Sequence, residues 1–305
     1  IGIKELWEIS PEKSKPGSIL HTTGWPLKSD TYGGSFLYHL DKNKISIGFV
    51  VGLDYKNPYL SPYMEFQRFK HHPEIKKILE GGRRINYGAR ALNEGGTQSL
   101  PKLTFPGGML VGCEAGFLNV PKIKGTHLAM KSGIIAASTI LENIDTKDEI
   151  SNFEDEIKNS WVWSELYKVR NIRPSFKWGF WKAIVYSALD TYIFRGNAPW
   201  TIDHHGTDHE SLENKNKHKK INYPKPDNII SFDRLTNVSF SGTNHEENQP
   251  CHLTLKNKDV PIKTNLELYD NPETLYCPAG VYEIVLNDNK PQLQINAQNC
   301  VHCKT

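Results

Sequence analysis

No uninterrupted apolar run in this sequence approaches the roughly 20 residues that a transmembrane helix needs, so no span is expected. The chain reads as soluble or, at most, lying on a membrane surface. Charge of one sign is also missing: 37 Lys and Arg stand against 34 Asp and Glu in 305 residues, for a net charge of +3. That balance excludes a dedicated nucleic-acid binder, which needs a basic stripe to displace counterions. Cysteine is scarce. The five (Cys113, Cys251, Cys277, Cys300 and Cys303) are odd in number and irregularly spaced, which fits a reducing compartment better than a disulfide scaffold. No P-loop, H-E-x-x-H or Ser/His/Asp elbow occurs, which removes the common hydrolase and nucleoside-triphosphatase chemistries. No internal repeat is visible. A leader is not readable either, because Ile1 opens directly on a strand-like segment, and the sequence is read as a fragment cut at both ends. What is present excludes disorder: 38% of residues are hydrophobic and 10% aromatic, enough to build a core at this length.

The punctuation of residues 1–144 is that of a mixed α/β domain. Ile1 to Trp7, Tyr32 to Leu40 and Lys44 to Leu53 read as strands, the last two joined by an Asp41-Lys42-Asn43 hairpin connection. Asn57 to Glu80 reads as helical, Arg84 to Leu92 as a strand, and Met109 to Gly112 as a short apolar strand. Thr126 to Glu142 reads as an Ala-rich helix with Thr126 as its N-cap. Over 145–222 the spacing predicts a helix from Ser151 to Arg170 with acidic residues in its first turns and basic ones in its last, which suits the helix dipole. A strongly aromatic helix from Phe176 to Phe194 follows, then a polar linker over His204 to Lys220. From 223 to 305 a small β-rich module runs into the last cysteines.

Those cysteines carry the strongest chemical signal. Cys300-Val301-His302-Cys303 is a C-x2-C, and Cys277-Pro278 precedes it. A Cys-Pro whose thiolate reaches a cluster held mainly by another cysteine run is an iron–sulfur arrangement. Completing that run would take a further cysteine directly after Thr305. A half zinc site drawn from Cys277, Cys300, Cys303 and His302 remains open on spacing, as do purely structural cysteines, since soft thiolates suit both metals. A non-catalytic, zinc-stabilised binding module beside an α/β domain is therefore the rival reading.

Three other segments have both a plain and a functional reading. The turn and helix from Met109 to Glu142 can bring backbone amides to a phosphate, or can be an ordinary buried unit with Cys113 as a core thiol. Gly33-Gly34 inside a strand pattern suggests a bulge or a close backbone approach. Phe176 to Phe194 is too short and too charged to span, with Lys177, Lys182 and Asp190 on different sides of a helical wheel. Its Trp and Tyr rings nonetheless suit a helix dipping into one leaflet. His71-His72 and His204-His205 read as solvated turns rather than metal ligands.

Cys277-Pro278-Ala279-Gly280-Val281-Tyr282-Glu283 and Leu293 to Thr305 closely resemble the electron transfer flavoprotein–ubiquinone oxidoreductase family. Gly24-Trp25-Pro26-Leu27, Tyr32 to His39, Gly88 to Gly96, Gly112 to His127 and Ser241 to Glu246 extend the resemblance over most of the chain. It implies a flavoprotein-type mixed sheet-and-helix domain with a quinone-binding part, followed by a small ferredoxin-like iron–sulfur module. It implies an oxidoreductase that carries FAD and one [4Fe–4S] cluster on the matrix side of the mitochondrial inner membrane. Electrons would pass from reduced electron transfer flavoprotein to ubiquinone, without a transmembrane span. On the same grounds Cys277, Cys300 and Cys303 are implied cluster ligands, and Tyr282 and Thr305 donors that tune the cluster. Gly33 and Gly34 are the implied ubiquinone contacts, and Gly112, Gly116, Asn119, Gly125 and Thr126 the implied FAD neighbours. The N-terminal βαβ with a Gly-rich dinucleotide fingerprint is missing from the sequence, so the fragment alone is expected to hold FAD weakly and to be inactive.

Overall fold

The computed structural model describes residues 1–305 except Lys147 and His205, so the His205 turn expected from the sequence lies outside the described residues. The chain forms two compact units, residues 1–91 with 206–305, and residues 92–205. The three-part division read from the sequence cuts at 144 and 222 instead, where composition changes.

The first unit is built on a five-stranded antiparallel sheet ordered β2-β3-β4-β1-β5, from β1 (Gly2–Glu8), β2 (Ile19–Thr23), β3 (Gly33–Leu40), β4 (Lys44–Val51) and β5 (Arg83–Arg90). Alternation sets its faces. Ile3, Trp7, Ile45, Ile47, Phe49 and Val51 are all buried, each worth about 1.5–3 kcal/mol over exposure. The β3–β4 hairpin turns through Lys42 and Asn43, both at φ 56, which is the left-handed backbone such tight connections demand. The single helix expected over Asn57 to Glu80 is two. Helix α1 (Pro62–Lys70) is capped by Ser61, whose hydroxyl accepts from the Met64 amide, and α2 (Pro73–Leu79) restarts because Pro73 cannot continue α1. Phe69 of α1 packs on Phe49 of β4 with ring centroids 5.3 Å apart.

Glu5 and Lys70 occupy core positions with no solvent exposure. The ammonium reaches both carboxylate oxygens at 2.9 and 2.8 Å, and Trp7 Nε1 and Asn237 Nδ2 donate to the same carboxylate at 2.7 and 2.9 Å. A charged pair survives there because its lone pairs and protons are satisfied.

The second unit holds a short hairpin, β6 (Thr104–Phe105) and β7 (Gly108–Met109), then α3 (Gly112–Ala115) and α4 (Thr126–Glu142). Of the apolar strand expected over Met109 to Gly112 only Met109 lies in a strand, since β7 ends there and α3 begins at Gly112. Helix α4 has the expected span, but Gly125 rather than Thr126 is its N-cap. The helix expected from Ser151 to Arg170 is divided into α5 (Phe153–Asn159) and α6 (Trp161–Lys168) at Ser160, whose side chain caps α6 by accepting from the Val162 amide. A one-turn α7 (Ile172–Ser175) contains Pro174. The aromatic helix is broken at Gly179, where φ of 87° is open to glycine and strained for other residues. It continues as α8 (Phe180–Ala188) and a π-turn through Phe194.

The C-terminal part of the first unit contains α9 (Arg234–Val238), a π-turn over Pro261–Tyr269, α10 (Glu273–Tyr276) and one hairpin, β8 (Tyr282–Asn287) with β9 (Lys290–Ile295). It is therefore less β-rich than the sequence suggests. The mixed α/β class is the one expected.

Candidate iron–sulfur site

Cys277 leaves the end of α10 in an extended conformation, and the chain turns at Gly280 before entering β8. The hairpin returns β9 alongside, pairing Tyr282 with Ile295. The Asn296 amide donates to Val281 O at 2.7 Å, and Asn299 Nδ2 donates to Gly280 O at 3.2 Å, which clamps the second cysteine segment onto the first. The Ala91 amide donates to Cys303 O at 2.6 Å, and Tyr87 Oη donates to Pro278 O at 2.8 Å, which ties both segments to β5 and its margin.

Cys277, Cys300 and Cys303 consequently line one cavity of about 110 Å³, together with Tyr276, Tyr282 and Thr305. All three thiols are free. Backbone amides point at two of the sulfurs: Val281 N–H to Cys277 Sγ and His302 N–H to Cys300 Sγ, each at 3.4 Å. Burial pushes the Cys277 thiol up. The Val281 and Ala279 amides oppose this, the Cys303 sulfur adds to it, and the Arg234 guanidinium pulls it down. Convergent thiols with amide donors on sulfur fit iron–sulfur ligation.

Tyr282 is half-buried against this cavity. Burial holds its phenol proton more tightly, and after that the sulfurs of Cys277, Cys300 and Cys303 do the same. Its oxygen therefore lies in the field of all three. Thr305 lines the same cavity from an exposed position.

Residues 1–92 match the family domain described as ETF-QO, ubiquinone-binding. Residues 228–305 match the one described as electron transfer flavoprotein–ubiquinone oxidoreductase, 4Fe-4S. The chain belongs to the electron transfer flavoprotein–ubiquinone oxidoreductase family. Its full length is 59% identical to the mitochondrial electron transfer flavoprotein–ubiquinone oxidoreductase of Sus scrofa and 57% identical to that of Homo sapiens, covering 52% of each. Against the mitochondrial protein of that name from Oryza sativa subsp. japonica it is 54% identical and covers 53%. The chain thus spans about half the length of these curated relatives.

The remaining residues picked from the sequence lie outside the cysteine cavity. Gly33 and Gly34 sit in regular register in β3, between β2 and β4, so the backbone makes a close approach and not a bulge. A Cβ on Gly33 would strike the Val50 carbonyl oxygen and Leu27, and one on Gly34 would strike the Thr22 carbonyl oxygen. The sheet alone therefore requires both glycines. Thr23 Oγ1 also donates to Gly33 O at 2.9 Å.

Gly112, Gly116, Asn119, Gly125 and Thr126 gather around the α3–α4 junction of the second unit. Three of them spend their amides internally: Gly112 on Ser132 Oγ, Gly116 on Cys113 O and Asn119 on Lys124 O. The Asn119 side chain donates to Glu165 Oε1 at 2.8 Å. At the start of α4 the first intrahelical bond runs from Ala129 N–H to Gly125 O, so the amides before it have no acceptor within the helix. Gly125 is buried there and Thr126 exposed.

Of the histidines, His71 meets Ser231 Oγ at 3.0 Å, the His72 ring accepts from the Glu74 amide, and His204 Nε2 meets Gly95 O at 2.7 Å. Sequence reasoning passed over His245 and His252. His245 Nε2 contacts Cys300 O at 2.7 Å, and His252 lines the cysteine cavity. His245 lies within a segment that resembles the family, but no spacing rule connects either residue to Cys300.

Proposed function

We propose that this chain supplies the ubiquinone-binding and iron–sulfur parts of an oxidoreductase at the matrix side of the mitochondrial inner membrane. That enzyme carries electrons from reduced electron transfer flavoprotein, through a [4Fe–4S] cluster and FAD, to ubiquinone. The observation that carries the proposal is the convergence of Cys277, Cys300, Cys303 and Tyr282 on one cavity with amide donors on two sulfurs. A bound cluster supplies one-electron transfer, and the protein supplies placement and tuning. Cys277, Cys300 and Cys303 are three of the thiolates, and one further thiolate is required for a four-cysteine cluster. Tyr282 and Thr305 donate hydrogen bonds to sulfur. Gly33 and Gly34 let the β3 backbone face the quinone headgroup, and the start of α4 receives the flavin phosphate.

A membrane-dipping role for the aromatic segment is supported by what its charges do. Asp190 is buried, and Lys177 Nζ is tied down on Asp203 O at 2.9 Å. Lys177 and Lys182 both stay outward, on a segment that also exposes Trp181 (72%), Val185 (62%), Tyr192 (79%) and Ile193 (68%). Outward cations among exposed aromatic and aliphatic side chains suit an interfacial anchor.

Cys277→Ala in the full-length protein tests the proposal. Iron and acid-labile sulfide should fall below one cluster per chain and the cluster's paramagnetic resonance signal should disappear. Unchanged iron, sulfide and signal would remove Cys277 from the ligand set.

A further inference from the structure

We propose that His252, Cys300 and His302 form a zinc site that the chain fills when it holds no iron–sulfur cluster. One ligand atom from each of these residues lies within 4.8 Å of the other two. In a tetrahedral zinc centre with bonds of about 2.0–2.3 Å, neighbouring ligand atoms stand about 3.3–3.6 Å apart. Closing the site therefore takes inward movements on the order of an ångström, which exposed histidine side chains make by small rotations.

Neighbouring contacts hold the group together. His245, His252 and His302 bunch at the mouth of the cysteine cavity, with ring centroids 5.5 Å apart for His245–His252 and 4.9 Å for each of the other two pairs. His245 is committed elsewhere: its Nε2 meets the Cys300 carbonyl at 2.7 Å and its Nδ1 meets Gln249 Nε2 at 3.3 Å. It braces the Cys300 backbone from behind and is not a ligand. Cys300 is half-buried while His252 and His302 face solvent, which leaves room for water in the fourth position. Two imidazoles and one thiolate are a donor set that suits zinc. When zinc binds, the Cys300 thiol gives its proton to solvent and the thiolate coordinates the metal.

This site differs from the zinc arrangement of Cys277, Cys300, Cys303 and His302 that spacing suggests, because it recruits His252 and leaves Cys277 and Cys303 out. It shares Cys300 with the proposed cluster, so zinc and cluster exclude each other, and zinc holds the cavity until iron and sulfide displace it.

The test uses the full 305-residue chain, stripped of metal and kept reduced. Zinc affinity is measured by competition with a chromophoric chelator, and cobalt(II) is added separately to look for a thiolate-to-metal charge-transfer band. One zinc per chain is expected, with release of a proton. His252→Ala and His302→Ala should each weaken binding more than tenfold, and Cys300→Ser should abolish the charge-transfer band. Cys277→Ser should bind zinc as the parent does. A Cys277→Ser loss as large as that of His302→Ala would move the metal to the thiolates and overturn the proposal. So would parent-like affinity in His252→Ala, or binding that never reaches one equivalent. No cluster, flavin or quinone enters these measurements, so their failure is distinct from failure of the electron-transfer reading.

Discussion

Replacing Tyr282 with Phe isolates one hydrogen atom at the proposed cluster. Tyr282 opens β8, and its ring meets Tyr276 edge-on with centroids 6.4 Å apart. Phenylalanine keeps that packing. The only loss is the hydroxyl, which sits in the field of the Cys277, Cys300 and Cys303 sulfurs. A donor to sulfur stabilises the reduced, more negative cluster more than the oxidised one, so its loss lowers the reduction potential. A hydrogen bond to a charged acceptor is worth about 1.5–3 kcal/mol. If half of that distinguishes the two redox states, the difference is about 0.75–1.5 kcal/mol. At about 59 mV per tenfold change in a one-electron equilibrium, where tenfold is about 1.4 kcal/mol, the expected drop is about 30–65 mV. The assay is a potentiometric titration of the full-length, cluster-loaded protein followed by paramagnetic resonance, with iron content as the control. A shift below about 10 mV at unchanged iron content would refute the hydrogen-bond role. Iron loss in the variant would refute it differently, by making Tyr282 structural.

Lys70→Met should destabilise the first unit by about 3–5 kcal/mol, because it leaves the Glu5 carboxylate buried with only the neutral donors of Trp7, Gln67 and Asn237. Adding Glu5→Gln should recover part of the loss, and a urea-unfolding change under about 1 kcal/mol for Lys70→Met would contradict the expectation. Asp227 governs part of the acid response. Burial pulls its carboxyl up, but the amides of Ser231, Ile229 and Ile230 outweigh this and hold it well below the usual range. Its contribution is therefore complete above the unfolded value of about 3.9 and lost as pH falls through the lower folded value. The stability gap between the parent and Asp227→Ala should be widest near neutral pH and should close below pH 4, so parallel curves would refute it. Trp181→Glu combined with Val185→Glu should cut liposome binding several-fold by placing charge on the exposed face of α8, and undiminished co-flotation would count against that face as the anchor.

Sequence alone was enough wherever the signal is local. Cys277-Pro278 and the C-x2-C of Cys300 and Cys303 mark a soft-metal segment because ligation demands close spacing. The β3–β4 hairpin and the span of α4 are readable because periodicity and turn chemistry act over a few neighbouring residues. Helix continuity was less legible. A capping serine at Ser160 and a proline at Pro73 look alike to a periodicity count, but each starts a new helix once packing bends the chain. The charges of the aromatic segment do lie on different sides, with Asp190 buried and Lys177 and Lys182 exposed, but which side is drawn inside depends on neighbours far away in sequence. Gly33 and Gly34 signalled a bulge or a close backbone approach, and only strand pairing, which sets the Thr22 and Val50 carbonyls against them, decides for the close approach. Glu5 breaks an otherwise apolar alternation, and only the fold brings Lys70 and Asn237 to satisfy it. His252 is the sharpest case. Nothing within its own stretch marks it, and only the tertiary fold sets its imidazole near Cys300 and His302, since metal-ligand geometry is a property of space and not of sequence separation.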